Sequence, residues 1–88
     1  FRKQAFSATY IFDDTGFTIE HKYGTTHYDF DQIKHVTMVI PDENMIFYIL
    51  NVFTEKERYT ISFMMQKELC ENIYEFMHAR LPKKDTED

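Results

Sequence analysis

The chain has no tryptophan, one cysteine, two glycines and two prolines among its 88 residues. Each scarcity excludes something. A lone Cys70 rules out an intrachain disulfide and fits a reducing compartment. Two glycines leave no room for a glycine-rich phosphate loop. Basic residues are outnumbered, ten Lys and Arg against fifteen Asp and Glu, for a net charge of −5. Adjacent basic pairs occur only at Arg2-Lys3 and Lys83-Lys84. Nucleic acid and anionic lipid both require a basic footprint, so neither is an expected partner. No apolar run approaches the roughly 18 residues of a spanning helix, and no signal peptide is visible. Because the chain starts at Phe1 rather than Met, an upstream part is expected, of a kind that includes membrane segments or a leader.

What the chain has in quantity is aromatic side chains: nine Phe and six Tyr. Each buried ring hides on the order of 150–250 Å², enough for one small core without a metal or disulfide staple. Period-2 alternation marks the first half as β. Residues 5–12 alternate with Phe6, Ala8, Tyr10 and Phe12 on one face. Asp13-Asp14-Thr15-Gly16 reads as a turn, residues 17–22 as a second strand, Tyr23-Gly24 as a two-residue hairpin turn, and 25–30 as a third strand.

Directly opposed residues in an antiparallel pair share a face, so these registers test one another. A loop at 13–16 sets Phe12 against Phe17, Tyr10 against Ile19 and Ala8 against His21. A loop at 23–24 sets His21 against Thr26, Ile19 against Tyr28 and Phe17 against Phe30. One apolar face runs through all three strands.

Further strands are expected at 33–40, 45–53 and 58–64, separated by turns at 41–44 and 54–57. Residues 45–53 are almost continuously apolar, which points to burial on both faces or a tight bend. Pairing across 54–57 sets Tyr59, Ile61 and Phe63 against Val52, Leu50 and Tyr48. Pairing across 41–44 sets Val36, Met38 and Ile40 against the opposite parity, Ile49, Phe47 and Met45. The conflict requires a bulge, a loop of odd length, or a strand covered on both sides.

Leu69, Ile73, Phe76, Met77 and Leu81 recur at helical spacing, flanked by Met65 and Cys70. They predict a helix over 65–81 with a weak N-cap, since no Ser, Thr, Asp or Asn stands just before Gln66. Pro82 stops it. Residues 1–82 thus form one domain, and 83–88 a charged, disordered tail.

Candidate chemistry is sparse. His21 and His27 fall on opposite sheet faces, while His35 and His78 have no close-spaced partner; zinc needs three or four converging ligands. Cys70 sits on or near the inner helix face, where a cysteine acts as a small hydrophobe. The acidic pairs Asp13-Asp14, Asp29/Asp31 and Asp42-Glu43 fall in turns and edges, where solvent keeps carboxylates charged. Met38, Met45, Met64, Met65 and Met77 read as core filling, some of them as an interaction patch. No catalytic, cofactor-binding or metal-binding residue is assigned, no cofactor is expected, and an enzyme is not.

Strands followed by one C-terminal helix resemble the layout of pleckstrin-homology-like (PH-like) domains. More narrowly, Tyr10-Ile11-Phe12-Asp13-Asp14-Thr15-Gly16-Phe17-Thr18-Ile19 and Tyr28-Asp29-Phe30-Asp31-Gln32-Ile33-Lys34-His35-Val36 resemble the C-terminal domain of the bacterial YcxB-like family. The chain departs from that family in lacking a Trp near 28–30 and a Pro before the helix. The resemblance implies a mainly β fold with one C-terminal α-helix, a partly open antiparallel barrel of about six to seven strands capped by the helix. It implies membrane helices upstream, hence a soluble domain on the cytoplasmic side of a bacterial membrane, and no catalytic residues. The expected function is a non-catalytic interaction module contacting a protein partner or its own copies, by strand addition at a sheet edge or through the groove beside the helix. The alternative is a small-molecule or lipid-headgroup site in the barrel mouth. Phosphoinositides are disfavoured, since the first hairpin loop, where PH-like domains place basic residues, is here Asp13-Asp14-Thr15-Gly16.

Overall fold

A computed structural model describes residues 1–41 and 46–82. Alternating apolar residues first build a four-stranded antiparallel sheet in the order β1-β2-β3-β4, from Arg2–Gln4, Ala8–Asp13, Gly16–His21 and Gly24–Tyr28. A 3-10 turn at Phe30–Gln32 leads into a three-stranded antiparallel sheet, β5-β6-β7, from Ile33–Val39, Phe47–Thr54 and Arg58–Met64. Helix α1, Lys67–Arg80, follows. The strands form two hydrogen-bonded sheets, not one closed barrel.

The β2–β3 register is the one the sequence predicts: Phe12 faces Phe17, Tyr10 faces Ile19 and Ala8 faces His21. The next hairpin differs. Its loop is Lys22-Tyr23, and Gly24 is already in the strand opposite His21. The partners therefore slide by two residues, Phe17 facing Tyr28 and Ile19 facing Thr26. A shift of two preserves the face, so the apolar surface survives, while Phe30 leaves the sheet for the 3-10 turn.

The strand expected over 5–12 is also corrected. Ala5–Ser7 turn, with the Ala5 N–H donating to the Ala8 carbonyl at 2.8 Å. Arg2–Gln4 then adds an edge strand, Gln4 facing Thr9. Phe6, expected on the apolar face, sits in that turn and is fully exposed.

The parity conflict in the second sheet resolves through the connection after β5. Val39 faces Ile49, enclosing an odd-length segment, so Val36 faces Val52 and Met38 faces Leu50. All four then point inward with Tyr59, Ile61 and Phe63, whose pairing with Val52, Leu50 and Tyr48 is as predicted. A bulge at the other end, between Ile33 and His35, lets both Ile33 and Val36 be buried despite their odd spacing. Residues 42–44 of the turn expected at Pro41-Asp42-Glu43-Asn44, the start of the strand at Met45 and the tail at 83–88 lie outside the described residues.

The core gathers Phe12, Phe17 and Ile19 from the first sheet, Leu50, Val52, Ile61 and Phe63 from the second, and Cys70, Ile73 and Met77 from α1. The helix packs on the inner side of β5, β6 and β7. Its N-cap Gln66 makes no side-chain cap; the Gln66 Oε1 instead accepts from Lys3 Nζ at 2.6 Å, tying edge strand β1 to the helix start. Phe1 meets Phe76 edge-on at 5.5 Å. At the far end Arg80 lies over the Phe76 ring at 3.8 Å and donates to the Phe76 carbonyl.

Candidate interaction surface

The residues singled out for chemistry disperse over the fold. His27 faces outward on β4, its Nδ1 2.7 Å from Thr18 Oγ1 and its Nε2 3.1 Å from the Thr15 carbonyl. His21, on the other face of the same sheet, is exposed at the end of β3. His35 stacks on Phe53 at 4.3 Å, and His78 on Tyr74 at 5.5 Å. Among the described residues no three His, Cys, Asp or Glu converge as metal ligands would. Cys70 is buried, and desolvation, helped by the Glu71 charge, pushes its thiol up to about 11. That keeps it protonated at neutral pH, and the thiolate is the reactive form.

The carboxylates hold turns. Asp13 Oδ1 accepts from the Thr15 hydroxyl at 2.6 Å and from the Thr15 N–H at 2.9 Å. These bonds hold its pKa below the ordinary carboxylate value. Asp14 reaches Arg80 at 3.8 Å. The Asp42-Glu43 pair lies outside the described residues.

One cleft stands where the 3-10 turn meets the β6–β7 turn. It measures about 430 Å³ and is lined by Tyr28, Asp31, Gln32, Lys34 and Thr54 through Glu57. Beside it the Tyr28 and Tyr59 hydroxyls meet at 2.6 Å, bridging the two sheets. Desolvation first, then this bond, raises the Tyr59 pKa well above the phenol range. The charges at the cleft are mixed, and Lys34 is paired with Glu55 at 3.1 Å.

The most distinctive surface is the outer face of the second sheet. Register places four cross-strand rows there: Phe47 with Met64; Val39 with Ile49 and Ser62; Thr37 with Asn51 and Thr60; His35 with Phe53 and Arg58. The third row is hydrogen-bonded, Thr60 Oγ1 donating to Asn51 Oδ1 at 2.9 Å and Asn51 Nδ2 to Thr37 Oγ1 at 3.3 Å. Towards the first row the face turns apolar and open. Val39, Phe47 and Met64 are 44%, 47% and 56% exposed. Just past the strand ends Ile40, Ile46 and Met65 are exposed as well, and the Met65 N–H donates to the Ile46 carbonyl at 2.6 Å. Met65 alone among the described non-glycine residues has positive φ, 57°. A left-handed backbone costs an ordinary residue about 1–2 kcal/mol, and here it holds a large apolar side chain in solvent.

The sequence contained the signal for this face and misdirected its reading. The continuous apolar run 45–53 predicts cover on both sides or a tight bend, yet the strand runs unbroken from Phe47 to Thr54 and α1 covers its inner face only. Of the methionines named as core or patch, Met77 is buried, Met38 half-buried, Met64 and Met65 exposed, and Met45 lies outside the described residues. Compared with family models, curated proteins and solved structures, the chain finds no match.

Proposed function

We propose that this domain is a non-catalytic PH-like interaction module, and that it works through the outer face of the β5-β6-β7 sheet. The observation that carries the reading is the open apolar end of that face, around Val39, Phe47 and Met64. Contiguous exposed apolar surface of this kind is uncommon on a monomer without a binding role. The strained, exposed Met65 beside it supports the same reading, because strain persists where it is used. The order of four strands, three strands and one helix agrees with the PH-like layout. On the resemblance of its two quoted stretches to the YcxB-like family, the domain is the cytoplasmic portion of a small membrane-associated bacterial protein. No helix among the described residues is long and apolar enough to cross a membrane.

Site-specific photo-crosslinking tests the reading. A benzophenone side chain at Phe47 is expected to form protein adducts. The same probe at Thr25, exposed on β4, serves as the control. Equal yields at both positions would count against the outer face as a contact surface.

The cleft beside Tyr28 favours a second reading, a small-molecule or headgroup site, since its volume falls in the range of ligand pockets. Titration with soluble glycerophosphocholine, followed by NMR, decides it. Shifts confined to Tyr28, Lys34 and Lys56 support the site; none up to about 10 mM, where even weak binding registers, removes it.

A further inference from the structure

We infer that the occupant of the outer face of the second sheet is a second copy of this chain, in a weak two-fold dimer. The inference rests on the interaction reading above and adds the partner. Charge carries the first part of the argument. The chain has a net charge of −5, so two copies repel wherever carboxylates face each other. No Asp or Glu occupies an outward position of the described strands β5, β6 and β7. The first sheet carries Asp13 and Glu20 on its outer side. Like chains of this charge approach at lowest cost through the face whose described strands carry no carboxylate.

Shape carries the second part. Three strands about 4.8 Å apart, rising about 3.3 Å per residue over about eight residues, give a footprint of roughly 14 by 26 Å. With side-chain relief, each copy contributes on the order of 500 Å², so a symmetric pair buries about 1,000 Å², the lower bound of a specific interface. A two-fold operation places the same patch on both sides, setting the open apolar end of one copy against that of the other. The Thr37-Asn51-Thr60 row, already hydrogen-bonded within its own sheet, brings no unpaired side-chain amide into the contact.

Sedimentation equilibrium of the wild-type chain, from about 10 µM to about 1 mM, reads the association directly. We expect self-association in the upper part of that range. It should tighten several-fold as salt rises from about 20 to about 300 mM, because salt screens repulsion between like-charged copies. Phe47→Glu should abolish it. Ser62→Glu, at a position exposed on the face, should weaken it at least tenfold while leaving the circular dichroism and melting unchanged. Monomer throughout the range overturns the inference. So does association indifferent to both substitutions, which places the contact elsewhere. Binding of a monomer to phosphatidylcholine–phosphatidylglycerol vesicles, lost in Phe47→Glu, overturns it in favour of a lipid surface. A monomer that still gives photo-adducts from position 47 with other proteins sinks the dimer but leaves the interaction reading intact.

Discussion

The two sheets share one core and one architecture, yet their solvent faces differ. The outer side of the first carries Arg2 with Glu20 at 3.9 Å and Thr18 with His27 at 2.7 Å. The outer side of the second carries Val39, Phe47, Ile49, Phe53 and Met64 beside the Thr37-Asn51-Thr60 row and the polar side chains of His35, Arg58 and Ser62. Folding demands apolar residues only at alternate positions of a sheet covered on one face. The first sheet nearly meets that demand: Ile11, half-buried, is the one apolar side chain on its outer side. The second exceeds it, and the excess stays open to solvent, so stability of the isolated fold does not account for it. The sheets also turn by different means. Both glycines of the chain lie in the first sheet, at positive φ beside its tight turns. The second uses hydroxyl chemistry at Thr54 and a strained Met65.

The largest effect follows from that difference. Gly16 is buried at φ 132°, and a Cβ there would lie 2.1 Å from the Tyr28 carbonyl oxygen. Gly24, at φ 148°, would meet nothing within 4 Å. Gly16→Ala adds a steric clash with backbone to dihedral strain and should cost about 3–5 kcal/mol. Gly24→Ala adds strain alone and should cost about 1–2 kcal/mol. Urea denaturation of the two variants measures the gap. Equal losses would mean that the close approach of β4 to Gly16 does not hold the first sheet.

A smaller effect belongs to the junction between the sheets. Removing the Tyr59 hydroxyl in Tyr59→Phe should cost about 1 kcal/mol, since its 2.6 Å bond to Tyr28 is part-buried. Tyr28→Phe should cost about the same, and the double variant less than the sum, because both remove one bond. Strict additivity of the two losses would show that the hydroxyls act independently.

These contrasts explain what was legible beforehand. The β2–β3 register was readable because Asp13 and Gly16 are unambiguous turn residues and Phe12, Tyr10, Phe17 and Ile19 alternate cleanly. The slide of the next hairpin was not, because a shift of two leaves every face unchanged and the pattern cannot register it. The edge strand Arg2–Gln4 was missed since a short polar strand has no alternation to show. Phe6 was misplaced because alternation counts a ring in a turn as readily as one in a strand. The parity conflict at β5 was itself informative: it demanded an odd connection, a bulge or a strand covered on both sides, and the fold contains the first two. The outer-face patch lay hidden in the run at 45–53, where a strand buried on both sides and a strand buried on one with a docking surface on the other have the same composition.

The smallest effect separates the two turn chemistries by pH. In the first sheet, hydrogen bonds from the Thr15 hydroxyl and N–H, in that order, lower the Asp13 pKa below its ordinary 3.8. A carboxylate favoured in the folded state contributes stability that is complete above its unfolded pKa and is lost as pH falls through the folded one. The exposure of Asp13 keeps the contribution small, about half a kcal/mol after solvent screening. In the second sheet, Thr54 Oγ1 accepts from the Glu57 N–H at 3.0 Å, and the Thr54 N–H donates to the Glu57 carbonyl at 2.8 Å. Neither of these two bonds has a charged acceptor, and the turn's ion pair, Lys34 with Glu55, is exposed on both sides. Asp13→Ala should therefore be less stable than wild type at pH 6, with the difference fading as pH falls through and below 3.8. Thr54→Ala should lose a similar amount at every pH across that window. A Thr54→Ala loss that also fades in acid would mean that the second turn depends on a charge, and the contrast between the two sheets would not extend to their turns.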